Sequence, residues 1–407
     1  MDALAAPSTD TGRGRNSGEE GMKTKTLILF VTLPVLALLA GCQPPGERTS
    51  GAPLTDPHGE HAEPPTVDPS WPMLPDDWLI GEVGGIAADL EDNIWLVHRP
   101  RSLNADETGL MQNPPVSACC NAAPPVLKFD TAGNLLDSWG DATGYQGEGY
   151  EWPETEHGIF VDHLGYVWFA GNGPNDHQVL KFSGDGTFVM QIGQAGRTEG
   201  SNSTEFLGQP ADLEVDPETN ELYIADGYLN KRIIVFNAET GDYLRHWGAY
   251  GNEPSDEDTG AFEPGIEPIQ QFRTPVHAVR IANDGMVYVA DRVNNRIQVF
   301  EKDGTYVDEM IVEGNTLGAG STWDLELSPD DGQVDLYNAD GTNQRIHIIN
   351  RAAMEIESYF GRRGRTSGQF HWVHNVVVDS EGNFYTAEVN TGRRAQKFVV
   401  SHAGHVH

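Results

Sequence analysis

Six times along the chain, short apolar runs alternate with polar positions on either side of a turn rich in Asp, Gly and Asn. The segments are GIAADLEDNIWLVHR, HGIFVDHLGYVWFAG, ADLEVDPETNELYIADGY, HAVRIANDGMVYVADRVNNRIQVF, WDLELSPDDGQVDLYNADG and HNVVVDSEGNFYTAE. Alternation of β-branched and aromatic residues with a period of two marks a strand, and two such runs around a tight turn make a hairpin. A third strand follows, such as VLKFD, RIIVF or RIQVF, and usually a fourth that ends in Trp-Gly, Ile-Gly or Phe-Gly, as in LLDSWG, YLRHWG and EIESYFG. Four-stranded units repeating every roughly 45 to 70 residues predict an all-β, six-bladed β-propeller. It would occupy residues 77–400, with units starting at Gly84, His157, Ala211, His277, Trp323 and His374. The sixth unit runs out of chain after RAQKFVV. Its outer edge would stay unpaired, so an N-terminal strand, Asp77 to Val83, is expected to close the ring.

The register of the repeat brings chemistry with it. Histidine opens units two, four and six, at His157, His277 and His374. Alternate blades of a six-fold ring lie about a third of a turn apart, so three imidazoles converge on one point. Three nitrogen donors form a metal site, and zinc is the expected ion. In an up-and-down blade, the loop entering the innermost strand and the loop after the second strand share a face. Arg99, Tyr228 and Arg292 lie on such second loops, which gathers a phenol and two guanidinium groups around the metal. Other uses for them remain open: an Arg there also braces neighbouring blades, and Tyr228 could pack within its turn.

Charge and cysteine usage narrow the setting. The 407 residues carry 61 acidic and 26 basic side chains, a net charge of -35, which excludes nucleic acid and anionic membrane surfaces as partners. The acidity is spread along the chain and reads as solubility of an exported, monomeric protein. Met22, Lys23 and Lys25 precede an apolar run from Leu27 to Ala40 that ends in LAGC. This predicts a bacterial lipoprotein leader over 1–42, with Met22 as the start and Cys42 as the lipidated residue. Gln43 after that cysteine favours the outer membrane and periplasm, with the lipid as the only membrane contact. A retained membrane anchor is the alternative. Residues 43–76 read as a flexible tether and 401–407 as a tail. Cys119 and Cys120 are adjacent, inside a long insertion from Pro100 to Pro125. An oxidising compartment favours a vicinal disulfide over two free thiols, and the insertion emerges on the histidine face, where it could form a wall or lid.

The motifs together resemble the NHL-repeat group and, within it, peptidyl-α-hydroxyglycine α-amidating lyase, over nearly all of residues 80–400. VHR carries Arg99, EHGI carries His157, YIADGY carries Tyr228, PVHAV with VADR carries His277 and Arg292, and WVHN carries His374. The resemblance implies a zinc-dependent lyase that cleaves a carbinolamide, R-CO-NH-CH(OH)-COOH, to a primary amide and glyoxylate. It makes the three histidines the zinc ligands, Tyr228 the catalytic base and Arg99 the carboxylate partner, assisted by Arg292. It further implies a structural calcium near the axis, held by the carbonyls of Ile86 and Ile159 and by Asn375, where the family has an acidic residue. Trp372 replaces the family's Met two residues before the last His, which bears on substrate binding. The substrate is then a small or peptide-derived molecule. Three readings compete: a zinc hydrolase with the same ligands, a calcium-dependent lactonase using Asp212 and Asp324, and a non-catalytic propeller that binds protein or carbohydrate.

Overall fold

A computed structural model describes residues 63–144 and 147–401. They form six four-stranded antiparallel sheets. The innermost strands, in blade order, are Glu82–Ala88, Glu156–Val161, Asp212–Asp216, Val276–Ile281, Asp324–Leu327 and Val373–Val378. Each touches the innermost strands of the blades before and after it, the sixth touching the first, so the ring is complete. The all-β six-bladed propeller is therefore the fold.

The alternating pattern has a clear physical use. Both faces of every blade are covered by neighbours, so the core is divided into six wedges, one at each blade junction among the described residues. Tyr223, Ile233 and Val235 of the third blade, for example, pack against Val279, Val287 and Phe300 of the fourth. Burial on both faces explains the nearly continuous apolar second strands, such as Val167–Gly171 and Val287–Asp291, whereas the fourth strands are partly solvent-facing and carry more polar residues.

Ring closure uses a different segment from the one expected. Thr66–Asp68 pairs antiparallel with Arg394–Val399, in the register Thr66↔Val399, Val67↔Phe398 and Asp68↔Lys397. Of the expected segment, Trp78–Leu79 pairs in parallel with Asn121–Ala122 of the first-blade insertion, and Glu82 and Val83 already belong to the first blade's innermost strand. A backbone edge accepts any short extended segment, and what selects this one is the side chain that follows it. Trp71 is only 4% exposed, with its ring 5.0 Å from Tyr385 of the sixth blade and 5.8 Å from Phe129 of the first. The tether expected over 43–76 is thus corrected at its end, because residues 66–71 are part of the propeller. Residues 1–42, with Met22 and Cys42, lie outside the described residues, as do 43–62 and 402–407. No helix among the described residues is long and apolar enough to cross a membrane.

Candidate metal centre

The histidines reach the axis through local irregularities in the strands that carry them. Pairing with the second strand slips between Val276 and Ala278 and again between Val373 and Asn375, so His277 and His374 are extra residues in their ladders. The same slip spans Glu156 to Ile159, around His157. A bulge of this kind re-aims a side chain without ending the strand. The innermost strands of blades three and five carry no histidine and keep an unbroken register from Asp212 and Asp324 onward, while that of blade one slips in the same way at Gly84. Close approach of the strands is permitted by Gly158, where a Cβ would lie 2.5 Å from Ala211 O.

The three imidazoles are buried, with ring centroids 4.6 to 5.1 Å apart and one ring nitrogen of each within 4.8 Å of the others. Their outer nitrogens are all engaged. His157 Nδ1 donates to Ala211 O at 2.7 Å, His277 Nδ1 to Trp323 O and His374 Nδ1 to Asn375 Oδ1. With its proton on Nδ1, each ring turns a bare Nε2 lone pair inward, the tautomer and orientation of a metal-ligating histidine. Burial is the largest reason that all three stay neutral. It holds His157 and His277 well below the usual histidine range, aided by the charges of Arg99, Arg292 and the neighbouring imidazoles. His374 is pushed down to about 3, again mainly by burial.

Tyr228 completes the cluster. Its hydroxyl lies 2.9 Å from His157 Nε2, 3.0 Å from His277 Nε2 and 3.2 Å from Arg292 Nη1. One phenolic proton cannot serve two Nε2 lone pairs at once, so the site holds more acceptors than donors, which is the condition a bound cation relieves. The residues present therefore fit a metal, and three neutral imidazoles suit zinc.

The two arginines differ. Arg99 is engaged at all three nitrogens: Nε donates to Glu156 O at 2.8 Å, Nη1 pairs with Glu82 at 2.7 Å and Nη2 reaches Asn172 Oδ1 at 3.4 Å. Arg292 lies 4.5 Å over the Trp323 ring, and its buried Nε has no partner among the described residues. Trp323 stands 6.0 Å from the His277 ring and 5.8 Å from that of His374, and Trp372, at φ +65°, places its ring 6.1 Å from Trp323. Trp323 was legible only as a unit start; that its ring would lie under Arg292 had no local signal. Cys119 and Cys120 place their sulfurs against each other, an arrangement compatible with the expected vicinal disulfide. Hydrogen bonds around the pair run to Ser117 and Leu110 of the same insertion, which it braces.

The implied calcium seat does not fit. Asn375 supplies a neutral amide whose oxygen is taken by His374. Ile86 and Ile159 line an axial channel of about 440 Å³ whose wall also includes Arg280.

No family model matches the chain. Over 352 residues it is 28% identical to peptidyl-glycine alpha-amidating monooxygenase B of Xenopus laevis, covering 83% of this chain but 36% of the frog protein, so it spans about a third of that relative. A probable peptidyl-alpha-hydroxyglycine alpha-amidating lyase of Caenorhabditis elegans is 27% identical, covering 77% of this chain and 81% of the worm protein. Human NHL repeat-containing protein 3 is 32% identical over 295 residues, covering 68% of this chain and 73% of the human one. With six repeats in the sequence, six blades in the structure and these relatives, the chain belongs to the NHL-repeat β-propeller family.

Proposed function

We propose that this protein is a zinc-dependent carbon–nitrogen lyase that releases glyoxylate from an N-acyl-α-hydroxyglycine. The observation that carries this reading is the Tyr228 hydroxyl, held between two Nε2 atoms of a converging imidazole trio and beside the Arg292 guanidinium. The relatives named as amidating lyases support it.

His157, His277 and His374 would hold the metal. When bound, zinc acts as a Lewis acid that acidifies a hydroxyl and stabilises the negative charge developing there. Tyr228 stands at hydrogen-bond distance from the ligand nitrogens and, once its own proton has passed to solvent, is placed as a phenolate to take the proton of the substrate hydroxyl. Arg292, with an unpartnered Nε, pairs with the substrate carboxylate; Arg99 adds positive charge at the same rim and could join after exchanging its bond to Glu82. The reaction is balanced without a co-reactant. Loss of the hydroxyl proton lets the oxygen electrons form a C=O bond, the C–N bond breaks, and the proton ends on the departing amide nitrogen. The products are a primary amide and glyoxylate. Trp372, backed by Trp323, offers an apolar surface for the acyl side.

The leader sequence supports placing the protein in the cell envelope, anchored through Cys42. The chemical proposal is tested by incubating zinc-loaded protein with N-acyl-α-hydroxyglycines and assaying glyoxylate. Tyr228→Phe should keep the zinc and lose about a hundredfold or more in rate. If the loaded protein gives no glyoxylate from any acyl group tried, or if Tyr228→Phe is as fast as the parent, the proposal is wrong.

A further inference from the structure

Directly behind the histidines lies a buried ion cluster that the proposed chemistry does not use. Arg280, 7% exposed, comes from the innermost strand of blade four. Its Nη1 is 2.6 Å from Asp212 Oδ2 in blade three, and its Nη2 is 3.3 Å from Asp324 Oδ1 in blade five. Glu326 lies 3.9 Å from its Nε, and Glu214 shares the channel. Among the described residues, Arg280 is the one cation paired with either aspartate.

Those aspartates are attached to the histidine site at four points. Asp212 directly follows Ala211, whose carbonyl receives His157 Nδ1. Asp324 directly follows Trp323, whose carbonyl receives His277 Nδ1. Asp212 Oδ2 also accepts from Val279 N at 3.2 Å, two residues beyond His277, and Asp324 Oδ2 accepts from Val376 N at 2.9 Å, two residues beyond His374. The strand segments that orient all three rings therefore converge on two carboxylates, and one guanidinium ties these together.

We propose that Arg280 is the resident axial cation of this propeller: it takes over the bracing that the resemblance assigns to a structural calcium, and it is a positioning residue for the histidine metal centre. The donor set argues the same way. Where a calcium seat would present a carboxylate, the chain has Asn375, a neutral oxygen already bonded to His374. The carboxylates that a divalent cation would need, Asp212 and Asp324, are already engaged by the Arg280 guanidinium. Hydrogen-bond partners behind a metal ligand set its orientation, and removing them typically weakens metal binding about 10- to 100-fold.

The inference rests on the histidine metal centre but not on the lyase chemistry, and its test needs no turnover. Zinc-loaded wild-type protein, freed of other metals on a chelating resin, is titrated with calcium and followed by calorimetry and by Tm. Millimolar calcium should neither bind stoichiometrically nor raise Tm. Arg280→Met should weaken zinc at least about tenfold in competition with a chromophoric chelator and alter the visible spectrum of the cobalt-loaded protein. Arg280→Lys, which keeps the charge, should recover part of both. One calcium per chain with a raised Tm would overturn the proposal, as would Arg280→Met with the zinc affinity and cobalt spectrum of the parent. Should that variant not fold, the calcium titration of the wild-type protein decides. Wild-type protein without zinc affinity would sink the histidine centre instead, and the calcium arm would still judge Arg280.

Discussion

Among single residues, the two arginines near Tyr228 show how much a side chain's partners matter. Arg99 and Arg292 occupy equivalent loop positions, yet Arg99 spends its donors on Glu156, Glu82 and Asn172, while Arg292 keeps a buried Nε unpartnered. An unpaired buried donor is costly unless a ligand satisfies it. Arg292→Ala should therefore reduce kcat/KM by about ten- to a hundredfold, the range of one hydrogen bond to a charged group. Arg99→Ala should lower kcat/KM less and thermal stability more, since it breaks the tie between blades one and two. Steady-state kinetics and melting curves of the two variants check this, and an equal or larger catalytic loss in Arg99→Ala would reverse the assignment.

Among the elements, the notable features are the bulged innermost strands and the borrowed outer strand. The bulges put three histidines on the axis in alternate blades, and blades three and five supply carbonyls instead. The borrowed strand, Thr66–Asp68, has only three residues, too few backbone bonds to hold the seam by themselves. Trp71 supplies the rest by filling the wedge between blades six and one. Trp71→Ala should cost about 3–5 kcal/mol, the usual loss for a large buried aromatic, and should raise proteolysis ahead of residue 80. Urea unfolding and limited proteolysis measure both. A variant as stable and as resistant as the parent would show that strand pairing alone closes the ring.

At the level of the whole molecule, buried titrating groups pull stability in opposite directions. The histidines have folded-state values far below their unfolded value of 6.5. As pH falls below 6.5 the unfolded chain gains protons that the folded centre refuses, so stability declines with acidification. Glu214 is raised to about 8 and Glu326 to about 6 by burial in the channel. There the folded state holds protons that the unfolded chain has released, so stability declines as pH rises from 4.5 towards 8. Metal-free protein should accordingly have a Tm maximum in mildly acidic solution, near pH 6, with losses on both sides. Bound zinc should steepen the acid limb, because protons displace it from the imidazoles. Calorimetric scans across pH, with and without zinc, test this, and a metal-free Tm rising steadily to pH 8 would contradict it.

The repeat made the fold legible: period-two alternation is a local property, and six copies leave few ways to bury so many apolar faces. The shared register of His157, His277 and His374 was legible for the same reason, because equivalent positions in alternate blades must face one axis. What sequence could not decide depends on partners remote in the chain. An open strand edge accepts any extended segment, so the choice of Thr66–Asp68 over residues 77–83 awaited the packing of Trp71 against Tyr385 and Phe129. Arg280 meets partners 68 and 44 residues away, and nothing near it in the chain marks it as more than a polar residue in a strand. Local alternation thus determined which residues form strands, and only the closed ring decided which charges would be buried together on its axis.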